Sequence, residues 1–233
     1  MSDTIQLAVI LIPCLIVAIV FHEVAHGYVA MLLGDPTARE ERRLSLNPLR
    51  HVDPIGTLLV PGALALFGGP VFGWAKPVPV NFRRLRNPRL GMILVAAAGP
   101  GTNFLLAALA AIAIGSFGLL GQVQVAAGMA LGPEPSMLAQ GLMYFLLINL
   151  FLALFNLLPI PPFDGSHIVE GLLPRSLSRQ YAKLRQLGML LFIILIAAVW
   201  VFPNAGIIER LIGPPVTWLM GHYLLLAQAF AGH

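Results

Sequence analysis

Residues 5–33 read IQLAVILIPCLIVAIVFHEVAHGYVAMLL, an apolar run whose only ionisable side chains besides Cys14 and Tyr28 are His22, Glu23 and His26. As a helix rising ~1.5 Å per residue, the run is long enough to cross the ~30 Å hydrocarbon core of a bilayer. This reading decides the fold class, because it makes the first element a membrane helix. The same stretch contains H-E-x-x-H, from His22 to His26. Residues i and i+4 share one helical face, so both imidazoles can reach one metal ion. Glu23 then sits beside that ion, placed to take a proton from a water. An ionisable group at membrane depth costs at least ~2.5–3.5 kcal/mol and so needs a partner or a task. Metal ligation is such a task.

The whole chain fits a membrane setting. Of its 233 residues, 58% are hydrophobic and 10% charged, against about 25% charged in soluble domains. Mean hydropathy is +0.85. The net charge is +4, but the basic residues lie in short segments between apolar runs, where they set membrane orientation rather than bind nucleic acid. Cys14 is the one cysteine, which excludes an internal disulfide or a Cys-based zinc site; it reads as a small side chain packed in a membrane helix. The N-terminus lacks a basic n-region and the first run is too long for an h-region, so it reads as a retained span.

Further apolar segments follow. The first span stops at Gly34-Asp35-Pro36. Residues 54–72 are apolar but broken by glycines and prolines, as in a re-entrant segment buried against protein. Gly73 to Asn81 is extended by its prolines. Leu90 to about Gly115 is a span rich in small residues, including Ala98-Gly99-Pro100, which let helices approach closely. Ser136 to Leu158 is another, and 188–202 and 215–230 are two more apolar stretches. The expected fold is an all-α, polytopic membrane helix bundle of about five to six hydrophobic segments. It forms a single transmembrane domain over 1–233, with a core of about 5–170 and additional C-terminal membrane segments in 188–230.

Charge sets the orientation. Thirteen of the 14 Lys and Arg residues fall in segments 34–53, 73–89 and 159–187, and only Arg210 lies elsewhere. The positive-inside rule places these three segments in the cytoplasm. That requires 54–72 to enter and leave on one side, so the re-entrant reading is preferred to a span. It also puts His22, His26 and Asp164 toward the cytoplasmic half of the bilayer.

A catalytic zinc site needs a third protein ligand and an open position. Among the ten acids, only Glu23 and Asp164 lie in or at the end of a well-defined span. Asp164 is the leading candidate, although Phe163-Asp164-Gly165 also reads as an interfacial turn. His167, three residues later, competes as a ligand but reads better as lying at the interface or just behind the ligands. His51, His222 and His233 read as surface or interfacial, and Glu170 as facing the aqueous interface. Asn103 and Asn156 each suit an interhelical hydrogen bond.

Taken together, H-E-x-x-H in the first span, Ala98-Gly99-Pro100 to Asn103, and N-x-x-P-x-x-x-x-D-G from Asn156 to Gly165 resemble the site-2 protease family of intramembrane zinc metalloproteases. The resemblance covers roughly residues 20–170. It includes the Gly73-to-Asn81 stretch of the family's compact bacterial members, which carry no PDZ or CBS domain. It implies one Zn²⁺ per chain held by His22, His26 and Asp164, with Glu23 as general base. It implies that Asn103 helps to hold substrate or polarise the scissile carbonyl. The implied substrate is a transmembrane protein or peptide in a bacterial inner membrane, cut toward the cytoplasmic side. A helical substrate must unwind to expose its carbonyls, and segment 54–81 is expected to receive it as an added strand. A metal transporter would need polar residues at both membrane depths, and a silent scaffold would have lost Glu23 or a ligand; neither pattern is seen.

Overall fold

The computed structural model describes residues 2–60, 62, 66, 74–130 and 132–231. Helix α1 (Ser2–Leu32) passes Pro13 without a break, as membrane helices tolerate when neighbouring groups satisfy the freed carbonyl. It has no polar stripe. Ile5, Val9, Ile12 and Leu15 are all exposed, which in water would be unfavourable and in lipid is the expected outer face. The helix ends at the Gly34-Asp35-Pro36 stop. Asp35, fully buried, accepts hydrogen bonds from the Thr37 N–H and hydroxyl and from the Asn81 N–H. It therefore opens the short helix α2 (Thr37–Glu40) and ties down the far end of the 74–81 segment.

A turn at Pro48–Arg50 and a π-helical turn at Pro54–Leu59 follow. Asp53 caps the second, accepting from the Ile55 and Gly56 N–H groups. The expected re-entrant path of 54–72 lies largely outside the described residues beyond position 60. After an extended stretch to Asn81 come α3 (Pro88–Ser116), α4 (Leu120–Ala126) and α5 (Met137–Asn156). Then follow α6 (Asp164–Leu172), α7 (Arg175–Arg185), α8 (Gly188–Val201) and α9 (Ile207–Ala229). No strand occurs among the described residues.

Among the described residues, three helices are long and apolar enough to cross a membrane: Ile5–Leu32, Pro88–Ser116 and Met137–Asn156. The pair α7 and α8, bent by 61° at a short break, makes a fourth if it counts as one broken span. Helix α9 begins eight residues before the expected 215, because Pro214 and Pro215 lie inside it rather than at its start.

The chain divides into two compact units. One comprises the described residues of 2–18, 101–154 and 212–231. Its core packs Ala107, Ala111 and Ile114 of α3 against Leu146 and Leu150 of α5 and Leu224 of α9. Alanines at such contacts bring backbones close, and in lipid that close packing is the main attraction between helices. The other unit comprises 19–100 and 155–211. Its small core around Ala30, Leu85 and Val95 underlies the candidate site.

Candidate metal centre

The site is built on one turn of α1. His22 and His26 are both buried, and their rings meet edge to face with centroids 4.7 Å apart. His26 Nδ1 lies 2.7 Å from the Val95 carbonyl of α3. A carbonyl only accepts, so Nδ1 carries the proton and Nε2 presents its lone pair inward. Asp164, 142 residues beyond His22, brings Oδ2 to 3.1 Å from His22 Nε2 and 3.3 Å from His26 Nε2. The potential ligand atoms of the three residues all lie within 4.8 Å of one another, and among the described residues this is the group of three such side chains that could hold a metal ion.

Local structure explains how Asp164 reaches this point. It opens α6, and the following residue must be glycine. A Cβ at Gly165 would lie 2.2 Å from the Leu157 carbonyl oxygen, so any side chain would push the turn away. Phe163 is held between Phe155 and Phe192, with centroids at 4.6 and 6.0 Å. At the other end of α6, Arg89 donates to the carbonyls of Gly171, Leu172 and Leu173, satisfying terminal carbonyls and opposing the helix dipole. Burial disfavours a charged Asp164, but positive charge on the two imidazoles outweighs it and holds the carboxyl well below the usual carboxylate range; a dication taking the place of those protons would act in the same sense.

Two imidazoles and a carboxylate are a donor set that catalytic zinc accepts with a position left open. The backbone leaves room for an ion. Built at Gly99, a Cβ would lie 2.5 Å from His26 Nε2 and 2.6 Å from His22 Nε2. Gly99 thus forms a wall with no side chain facing the two Nε2 atoms, and the residues fit a zinc ion. Gly99→Ala is expected to lower zinc affinity about 10- to 100-fold, the usual range for disturbing a ligand's support. Zinc content after purification in detergent, and competition with a chelator, would read this.

Glu23 lies beside the pair on α1, half-buried, and its Oε2 accepts a 2.9 Å hydrogen bond from the Val78 N–H. Asn103 belongs to the other compact unit. It is fully buried, and its Nδ2 donates to Asn149 Oδ1 at 2.8 Å and to the Ala18 carbonyl. This matches the interhelical role among the expectations for it. His167 does not join the triad. Its Nδ1 accepts from Arg185 and its ring tilts against Phe82; burial and the Arg185 charge push its pKa down.

Two expectations fail. Glu170 does not face water but is buried, paired with Arg185 at 3.4 Å. His51 is buried too, its Nε2 donating to the Ser45 carbonyl at 2.8 Å. His222 is exposed, as expected, with its ring tilted against Trp218, and His233 lies outside the described residues. Cys14 is half-buried with its thiol toward the Gly141 carbonyl. The glycine wall at Gly99 and the Val78 contact to Glu23 were not anticipated. The first has a weak signal in Ala98-Gly99-Pro100, and the second is a backbone contact that side-chain identity does not encode.

Comparison with known proteins agrees with this chemistry. The family model Peptidase family M50 matches residues 118–198. YwhC of Bacillus subtilis, whose name describes a candidate zinc metalloprotease, is 40% identical over 84% of this chain and 86% of its own length. Rip2 of Mycolicibacterium smegmatis, named in the same way, is 27% identical over 78% of this chain and 64% of its own. Rip2 of Mycobacterium tuberculosis strain H37Rv is 26% identical, over 84% and 74%. No solved structure matches at a comparable level. With a relative of 40% identity matched over most of both chains, and with the membrane helices described above, this chain belongs to peptidase family M50, the site-2 protease family of membrane zinc metalloproteases.

Proposed function

We propose that the chain is an intramembrane zinc endopeptidase that hydrolyses peptide bonds in or near the transmembrane segments of membrane-anchored proteins, as in regulated intramembrane proteolysis. One observation carries this reading: two histidines of an H-E-x-x-H on a membrane-spanning helix converge with a distant carboxylate. His22, His26 and Asp164 would hold the zinc. When bound, zinc supplies a Lewis acid that polarises a peptide carbonyl and acidifies water. Glu23 takes the proton of the attacking water on its carboxylate and returns it to the nitrogen of the leaving amine. The buried surroundings of the histidines limit access of bulk water, which strengthens each of these electrostatic effects.

The single domain, a bacterial inner membrane and an active site toward the cytoplasm belong to the same proposal. The clustering of basic residues in 34–53, 73–89 and 159–187 supports the orientation. The test is to incubate the purified protein with a single-span substrate and map the new termini by mass spectrometry. Cuts within or at the edge of the span are expected. Cuts confined to water-exposed loops would sink the intramembrane reading.

A substrate-holding role for Asn103 is part of the proposal, and its bond to Asn149 sets up a direct comparison. If the amide serves only the bundle, Asn103→Ala and Asn149→Ala each destabilise, and the double-mutant cycle gives a coupling of about 0.6 kcal/mol and at most about 1.7. If Asn103 also holds substrate, it alone raises KM. Thermal melts with KM measurements on the three variants distinguish the two outcomes.

A further inference from the structure

Residues 74–81 form an extended strap fastened at almost every step. The Trp74 N–H bonds to the Gly56 carbonyl at 3.0 Å and the Lys76 N–H to the His51 carbonyl at 2.8 Å. Buried Arg43 donates from Nη2 to the Lys76 and Pro77 carbonyls. The next N–H in this alternation, that of Val78, bonds to Glu23 at 2.9 Å, and that of Asn81 bonds to Asp35. Thus 74, 76 and 78 face the protein with their N–H groups, as alternate residues of an extended chain do. Every other bond fastens the strap to a fixed point. The one at Val78 fastens a carboxylate.

The strap's sequence suits this task. Pro79 biases Val78 toward an extended conformation, and Pro77 fixes its own φ, so the Val78 N–H is aimed without needing a neighbouring strand. The Val78 side chain is buried, and it packs so closely on α1 that a Cβ at Gly27 would lie 2.8 Å from Val78 Cγ1. The opposite edge offers little. Pro77 and Pro79 have no N–H, so between Trp74 and Val80 only Ala75 has a donor there. That edge cannot support a regular ladder, and the expected reception of substrate as an added strand does not fit 74–81.

We propose that the strap is a positioning device for the general base, with the Val78 N–H as its working donor. It holds Glu23 Oε2 and leaves Oε1 to meet the reacting water. A charge-assisted bond from a rigid backbone suppresses the rotamer freedom of a long carboxylate and keeps it aimed. The proposal rests on Glu23 being the general base.

The experiment replaces the Val78 amide by an ester, introducing α-hydroxyisovaleric acid at position 78 by cell-free translation into detergent. The side chain is kept, the N–H is lost, and the Pro77 carbonyl becomes a weaker acceptor for Arg43. The same amide-to-ester exchange at Ala75, whose N–H lies on the opposite edge of the strap, and Glu23→Gln are run alongside. The ester at 78 is expected to lower kcat about 10- to 100-fold, with KM and zinc content unchanged, while the ester at 75 stays near wild type in kcat. A wild-type kcat in the ester at 78, a loss expressed in KM, or an equal fall in the ester at 75 would each overturn the positioning role. Wild-type turnover by Glu23→Gln would instead remove the general-base reading beneath it.

Discussion

Glu23→Gln is expected to lower cleavage of a transmembrane substrate by about 10²- to 10⁴-fold, the range supplied by a well-placed general base, while leaving zinc content at the wild-type level. The substitution is close to isosteric. Glutamine keeps a carbonyl oxygen able to accept from the Val78 N–H. It keeps the neighbouring histidines on the same face of α1, and His26 keeps its 2.7 Å bond to the Val95 carbonyl. What it loses is the ability to accept a proton from water and pass it to the leaving nitrogen. The effect should therefore fall on kcat rather than on KM or metal binding. Cleavage of a single-span substrate, zinc quantification and a thermal melt on the same preparation would check it. Equal cleavage by wild type and variant would end the general-base assignment, whatever the metal content.

The sequence was most legible where chemistry conflicts with setting. His22, Glu23 and His26 stand out because a membrane helix excludes ionisable groups that lack a task, and their spacing defines a common face. Asp164 was legible for the same reason, as an acid at the end of a span. Its place at 3.1 Å from His22 depends on Gly165, Phe163 and Arg89 acting together, which no single residue reveals. Helix α1 could be placed to within a few residues because its apolar run is uninterrupted. Helix α9 could not, since two prolines that would end a soluble helix are accommodated within it. The burial of Glu170 and His51 was not legible because their partners, Arg185 and Ser45, come from neighbouring segments whose path is set by tertiary packing. The Val78 contact was hidden more deeply. Every residue except proline has a backbone N–H, so only the flanking prolines hint that this one is aimed.

Removing the carboxylate of Asp164 should reduce zinc binding and cleavage together, in contrast to Glu23→Gln. Disturbing a residue that only supports a ligand usually lowers metal affinity about 10- to 100-fold, and deleting a ligand outright should exceed that. Two imidazoles would remain, one turn apart on α1, with no third protein donor at the position where Oδ2 now lies 3.1 and 3.3 Å from their Nε2 atoms. Asp164→Asn is the sharper variant. It preserves the size of the side chain and the start of α6, but it replaces an anion with a neutral amide and so weakens the attraction for a dication. Chelator-treated wild type should resemble either variant in activity and recover when zinc is restored, whereas Asp164→Asn and Asp164→Ala should recover only partly or at much higher zinc. Thermal melts separate this from unfolding: without zinc, Asp164→Asn should still melt cooperatively, at a lower temperature because the carboxylate's contacts with His22 and His26 are lost, and added zinc should raise the wild-type Tm much more, because a ligand stabilises only in proportion to its binding. Full zinc occupancy in Asp164→Ala would show that the third ligand lies elsewhere, and His167, three residues along α6, would be the next residue to substitute.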